Sequence, residues 1–301
     1  MRLPQSPVDI GCLPDDVLCT IFRVIVPHHR MGPITLPIPL RQITLSHVSQ
    51  HWRAVVLGNP LLWNTILYTR GKHNLELCQL FLERSQKVAL DIQAIVSWTR
   101  LEPEESETFT PLFLPHIRRW RKMDLVCESP QLVSHWSIAP LLESLELRIE
   151  ARINTEEEAI NIPFLQGGAP RLKYLYYSSQ HGDGRPLDCP SLQELLLEGP
   201  YSFSDAPPGD SFHSFTSLVA PQLTHLVARK FAIESPFRPP APVQFDSLVQ
   251  LELQVQPLTL WEFMEHCRLP KLNSVTITLR LATEPFVFGG VLPLCLQCAM
   301  S

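Results

Sequence analysis

The sequence predicts an α/β chain in two parts: a small helical module near the amino terminus, then a longer body built on short parallel strands. Three observations predict it. Apolar residues recur at helical spacing between residues 10 and 66. Beyond residue 71 a Leu-x-x-Leu-x-Leu pattern keeps returning. Proline is abundant, 29 of 301 residues against only 12 glycines. Interior prolines break helices, so one long helical bundle is excluded and many short elements are expected.

The first element opens on Leu13-Pro14-Asp15-Asp16. Pro14 suits the first helical position, where its missing N–H costs nothing, and the two aspartates suit the positive end of the helix dipole. Val17, Leu18, Ile21, Phe22 and Ile25 then form an apolar stripe that stops at Pro27. A loop with Pro27, Pro33, Pro37 and Pro39 follows. A second helix is expected from Leu40 to Leu57, with Leu45, Val48, Trp52 and Val55 along one side, closed by Gly58 and Pro60. Leu61-Leu62-Trp63 begins a third short apolar piece. So few residues in such short helices make a marginal core. Their apolar stripes are therefore candidates for covering by a partner or by the rest of the chain.

These residues carry a resemblance. Leu13-Pro14-Asp15-Asp16-Val17-Leu18, Ile21-Phe22, Leu45-Ser46-His47-Val48-Ser49-Gln50-His51-Trp52-Arg53 and Leu61-Leu62-Trp63 resemble an F-box, closest to the F-box-like proteins numerous in fungi. The resemblance covers residues 10–66. It departs from the family in its long proline-rich loop and in Ser49, which stands where a cysteine often precedes the Trp-Arg pair. It implies docking on the Skp-type adaptor of cullin–RING ubiquitin ligases. It also implies adaptor-binding roles for Leu13, Pro14, Val17, Leu18, Ile21, Phe22, Leu45, Val48 and Trp52. Periodicity alone does not separate core from interface among them.

The second part, residues 71–301, repeats. Pro140 leads Leu142, Leu145 and Leu147; Pro170 leads Leu172, Leu175 and Tyr177; Pro190 leads Leu192, Leu195 and Leu197. Pro221 leads Leu223, Leu226 and Ala228, Asp246 leads Leu248, Leu251 and Leu253, and Pro270 leads Leu272, Val275 and Ile277. Trp120 to Leu125 is an earlier copy, and Val88, Leu90 and Ile92 mark a strand before it. The mean spacing falls in the leucine-rich-repeat range of about 20–29 residues. Each unit then supplies one strand and neighbours bury each other's apolar edges. The Asn or Cys expected three residues after the last strand leucine is replaced by Glu150, Gln180, Pro200, Phe231, Gln256 and Arg280. The expectation is thus an irregular, degenerate leucine-rich-repeat-like solenoid with a parallel sheet.

Residues between the buried leucines face the other side of such a sheet. They include Ser144, Glu146, Leu196, Val227, Ser274 and Thr276, and the candidate substrate-binding set Tyr174, Tyr176, Glu194, His225, Gln250 and Glu252. An F-box followed by such repeats resembles a substrate receptor that recruits a protein for ubiquitination while other subunits carry out catalysis. The alternative is a stand-alone protein-binding scaffold.

Composition bounds the remaining classes. Apolar residues at 45% allow a sizeable core, and a net charge of −5 argues against a general nucleic-acid binder. No apolar run approaches the ~18 residues of a membrane span, and the first seven residues lack the apolar core of a secretory signal. Eight scattered cysteines suggest no disulfide framework and an intracellular, cytoplasmic or nuclear chain. No cofactor, metal or catalytic constellation is expected. His47 and His51 lie four apart without the glutamate of a metalloprotease helix, and Cys295 and Cys298 form a lone Cys-x-x-Cys. Arg118, Arg119, Arg121 and Lys122 read as a solvated basic rim. Residues 200–216 and Ser235 to Val243 read as insertion loops, and the last 20 residues show no obvious polar cap.

Overall fold

The computed structural model describes residues 10, 13–26, 41–69, 72–96, 104–128, 131–150, 165, 168–179, 189–201, 220–231, 242–255, 260, 263–265 and 267–279. Six helices, α1 (Asp15–Ile25), α2 (Arg41–Ser46), α3 (Gln50–Gly58), α4 (Lys72–Arg84), α5 (Glu104–Phe113) and α6 (Gln131–Ser134), accompany eleven strands among these residues. The strands are β1 (Thr65–Tyr68), β2 (Leu90–Val96), β3 (Trp120–Cys127), β4 (Ser144–Ile149), β5 (Tyr174–Ser179), β6 (Glu194–Tyr201), β7 (His225–Phe231), β8 (Val243–Gln244), β9 (Gln250–Val255), β10 (Cys267–Arg268) and β11 (Ser274–Leu279). Nine form one sheet in the order β1-β2-β3-β4-β5-β6-β7-β9-β11, and β8 pairs with β10. The fold is α/β with a large parallel sheet. The chain divides into two compact units, residues 1–93 and 94–301, with the division inside β2.

In the first unit α1 starts one residue later than the sequence suggests, with Pro14 in extended geometry as its cap. Its last carbonyls are satisfied by Val26 N–H, which donates to Phe22 O, and by the Arg41 guanidinium, which donates to Ile25 O. The expected single helix from Leu40 to Leu57 is two helices. Ser49 is extended and its hydroxyl accepts from Trp52 N–H at 3.1 Å, so it caps a new helix and breaks the old one. Ser at an N-cap satisfies a donor that would otherwise lack an intrahelical partner. His47 therefore lies in the break and does not share a helix with His51. Phe22 and Trp52 rings meet at 4.8 Å, and the buried Trp63 ring meets Phe81 edge-on at 5.2 Å while its N–H donates to Val56 O. Helix α4, not expected from the sequence, ends at Arg84, and Gln86 two residues beyond it has φ 50.

In the second unit the leucine pattern is the sheet register. Leu145, Leu175, Leu195, Leu226, Leu251 and Val275 are paired across successive parallel strands, as are Leu147, Tyr177, Leu197, Ala228, Leu253 and Ile277. Met123 and Leu125 of β3 extend both rows, so the earlier copy is in register too. The rows are buried from β3 to β9 and half-open on β11.

The lead prolines have a physical reason. Leu142, Leu172, Leu192 and Leu272 N–H each donate to the carbonyl three residues back, closing a turn. Pro140, Pro170, Pro190 and Pro270 thus hold the second turn position, which their fixed φ suits. Asp246 does the same beneath Leu248. Each turn hangs on the previous one by main chain. Glu143 O accepts from both Lys173 N–H and Tyr174 N–H, at 2.9 and 3.2 Å. Lys173, Gln193, Thr224 and Val249 carbonyls repeat this double acceptance for the next strand. The register is regular through Glu198 and Ala228 and then shifts before Tyr201 and Phe231.

Candidate binding surfaces

Two surfaces, one on each unit, hold the residues the sequence singled out. On the first, α1 carries an apolar arc wider than its own unit covers. Leu18 and Phe22 are fully buried, and Leu45 on α2 is buried with them. At ~100° per residue, Val17, Ile21 and Val24 lie on the neighbouring side of α1. Val17 is exposed, Ile21 half-buried, and Val24 81% exposed. Val48, in the break before α3, is 58% exposed. His51 Nε2 bonds Asp15 Oδ1 at 2.7 Å, which brings the start of α1 beside the start of α3, next to Val48.

The nine expected adaptor-binding residues therefore separate. Leu18, Phe22 and Leu45 are corrected to core: they close the module on itself and present no surface. Leu13, Ile21 and Trp52 are half-buried, while Pro14, Val17 and Val48 are exposed. Val24, Ile25 and Leu61 are exposed as well and belong with the latter group.

The second surface is the face of the sheet opposite the leucine rows. The six candidate residues Tyr174, Tyr176, Glu194, His225, Gln250 and Glu252 share it, as their register places them in two adjacent rows. Glu194 and Gln250 are exposed; the other four are half-buried. His225 Nδ1 bonds Thr224 Oγ1 at 2.9 Å. The reading missed the charged residues that complete the face, Asp124, Arg148, Glu198 and Arg229. Continuing the alternation two residues along each strand would have found the last three.

These residues form a network. The Arg148 guanidinium donates to Glu146 Oε2 at 2.6 Å, lies 3.5 Å from the fully buried Asp124 carboxylate, and sits 5.3 Å from the Tyr176 ring centre. Tyr176 O–H donates to Glu198 at 2.9 Å, and Arg229 pairs with Glu252 at 2.9 Å. Burial, then the neighbouring Asp124, pushes the Glu146 carboxyl above its ordinary range, while Arg148 opposes the shift. Tyr174 is pushed up to about 12, by burial first and then by Glu146 and Glu194. Its phenol stays protonated at neutral pH.

The basic rim divides as well. Arg118 is exposed, Arg119 is half-buried 3.5 Å from His116, and Trp120 between the basic residues is core, edge-on to Trp136 at 5.1 Å. Burial, aided by Arg119, lowers the pKa of His116 and favours its neutral form. Cys78 and Cys267 are pushed up to about 12 by burial. Among the described residues no group of His, Cys, Asp and Glu is placed to hold a metal ion, and no helix is long and apolar enough to cross a membrane. Of the two expected insertion loops, Pro200 and Tyr201 instead end β6 and Val243 opens β8, while residues 202–216 and 235–241, with Cys295 and Cys298, lie outside the described residues. No family model, curated protein or solved structure matches the chain.

Proposed function

We propose that this chain is a substrate-recruiting, non-catalytic subunit of an intracellular Skp–cullin–F-box ubiquitin ligase. Residues 10–66 dock on a Skp-type adaptor, and the polar face of the sheet holds the protein to be modified. One observation carries the reading: beside the closed core of the F-box-like segment, Val17, Ile21 and Val24 share one half-open to open side of α1, and Val48 is exposed in the break before α3. An isolated exposed valine needs no explanation, but three apolar residues along one side of a helix in so short a module mark an interaction surface.

The test is titration calorimetry of the full chain with a purified Skp-type adaptor. Binding at micromolar concentration is expected, with Val24→Asp and Val48→Asp each weakening it about tenfold or more at unchanged melting temperature. The scaffold reading draws on the closure of Leu18, Phe22 and Leu45, which makes the module self-contained. It gains if the wild-type chain and the two variants are alike in failing to bind.

A further inference from the structure

We propose that the sheet face at Tyr174 and Glu194 receives an arginine or lysine side chain, so that the recruited protein presents a basic segment there. The proposal rests on the reading of this face as the target-holding surface and specifies the chemistry of what it holds.

The face itself shows how it takes a cation. Arg148 is held by Glu146 and Asp124 and lies over the Tyr176 ring. A guanidinium on an aromatic face with carboxylates at its rim combines cation–π attraction with charge-assisted hydrogen bonds. Two residues along β5, on the same face, Tyr174 and Glu194 repeat the aromatic ring and the carboxylate, with no guanidinium paired to that carboxylate. Tyr174 is paired in register with Ser144 on one side and Glu194 on the other. Its phenol lies within the field of Glu146 and Glu194, which together outweigh the opposing field of Arg148. Among the described residues no ion pair joins the exposed Glu194 to an Arg or Lys, and its register neighbour on β7 is His225, which bonds Thr224.

The charge balance of the whole face points the same way. Its outward positions carry Asp124, Glu146, Glu194, Glu198 and Glu252 against Lys122, Arg148 and Arg229. Arg148 already serves two acids and Arg229 is paired with Glu252. A basic segment complements the surplus, and the half-buried Tyr174 ring gives it a fixed aromatic platform. An acidic segment meets like charge at Glu194.

The experiment is fluorescence anisotropy on the full chain at about 0.15 M salt, where exposed charges farther apart than about 8 Å are screened. The probes are labelled octapeptides of alternating Ala and Arg, with Gln and Glu versions as comparisons. The arginine peptide should bind and the other two should not. Glu194→Gln and Tyr174→Leu should each weaken binding about fivefold or more, and Tyr174→Phe, which keeps the ring, should retain it. Glu83→Gln, an equal charge change on α4, should leave it within about twofold. The proposal is overturned if Glu83→Gln costs as much as Glu194→Gln, if Tyr174→Leu binds like wild type in its folded form, or if the arginine peptide does not bind. Titrating the same samples with the Skp-type adaptor separates the two ideas. Lost adaptor binding with intact peptide binding sinks the ligase reading, and the reverse sinks only the basic-segment proposal.

Discussion

The helical module and the sheet face handle surface chemistry in opposite ways. Along one side of α1 the residues are Val17, Ile21 and Val24, with no polar side chain to satisfy, and Val24 is 81% exposed. On the sheet the outward residues are arginines, glutamates and tyrosines that bond one another, and Asp124 is fully buried beneath Arg148. The first surface gains free energy from any apolar cover, at roughly 25 cal/mol per Å². The second gains only from a partner that improves on bonds it already makes, which favours specificity over strength. On the proposed reading, the first surface recruits and the second discriminates.

The comparison breaks first at the core beneath the helical surface. Phe22→Ala should destabilise the module by about 3–5 kcal/mol, because it removes a fully buried ring against Trp52. Val24→Ala, two residues away on the open side, should cost almost nothing. Chemical denaturation of both variants checks this, and equal losses would mean that α1 has no free side.

A smaller effect is expected on the sheet. Arg148→Ala leaves Asp124 and Glu146 facing each other without their shared cation, and should cost about 1–3 kcal/mol. A loss below a few tenths would show the network to be surface decoration.

The smallest effect sharpens the contrast through pH. Because the Glu146 carboxyl lies above its ordinary value in the folded state, its ionisation opposes folding. Its contribution is fully present below the unfolded value and is lost as pH rises through the raised one. Glu146→Gln should therefore be more stable than wild type at pH 7, with the difference shrinking as pH falls toward 4. Thermal melts across that range decide it; a pH-independent difference would contradict the assignment.

How much of this was legible in the sequence follows the same divide. The leucine rows were readable residue by residue, because burial on one face of a parallel strand leaves an alternation that only register satisfies. The strand positions of Tyr174, Glu194 and Glu252 came with it. The break between α2 and α3 was not readable, since Leu45, Val48 and Trp52 keep helical spacing straight across it and only the Ser49 cap interrupts the backbone. Nor could periodicity tell Phe22 from Val24, both apolar and both on α1, because burial depends on which side another helix approaches. The missing asparagine ladder did suggest irregular turns. Sequence cannot display the peptide groups that join successive turns instead, because every residue carries them.

Those shared carbonyls at Glu143, Lys173, Gln193, Thr224 and Val249 have an evolutionary consequence. A stack fastened by peptide groups places few chemical demands on the stretches that return from one strand to the next. Such stretches can lengthen, shorten or exchange their residues while the joints stay intact, as the uneven distances between Pro140, Pro170, Pro190 and Pro221 illustrate. Diversification of this architecture is therefore cheapest in its connections, where a new insertion changes what the protein meets without reopening the question of how it folds.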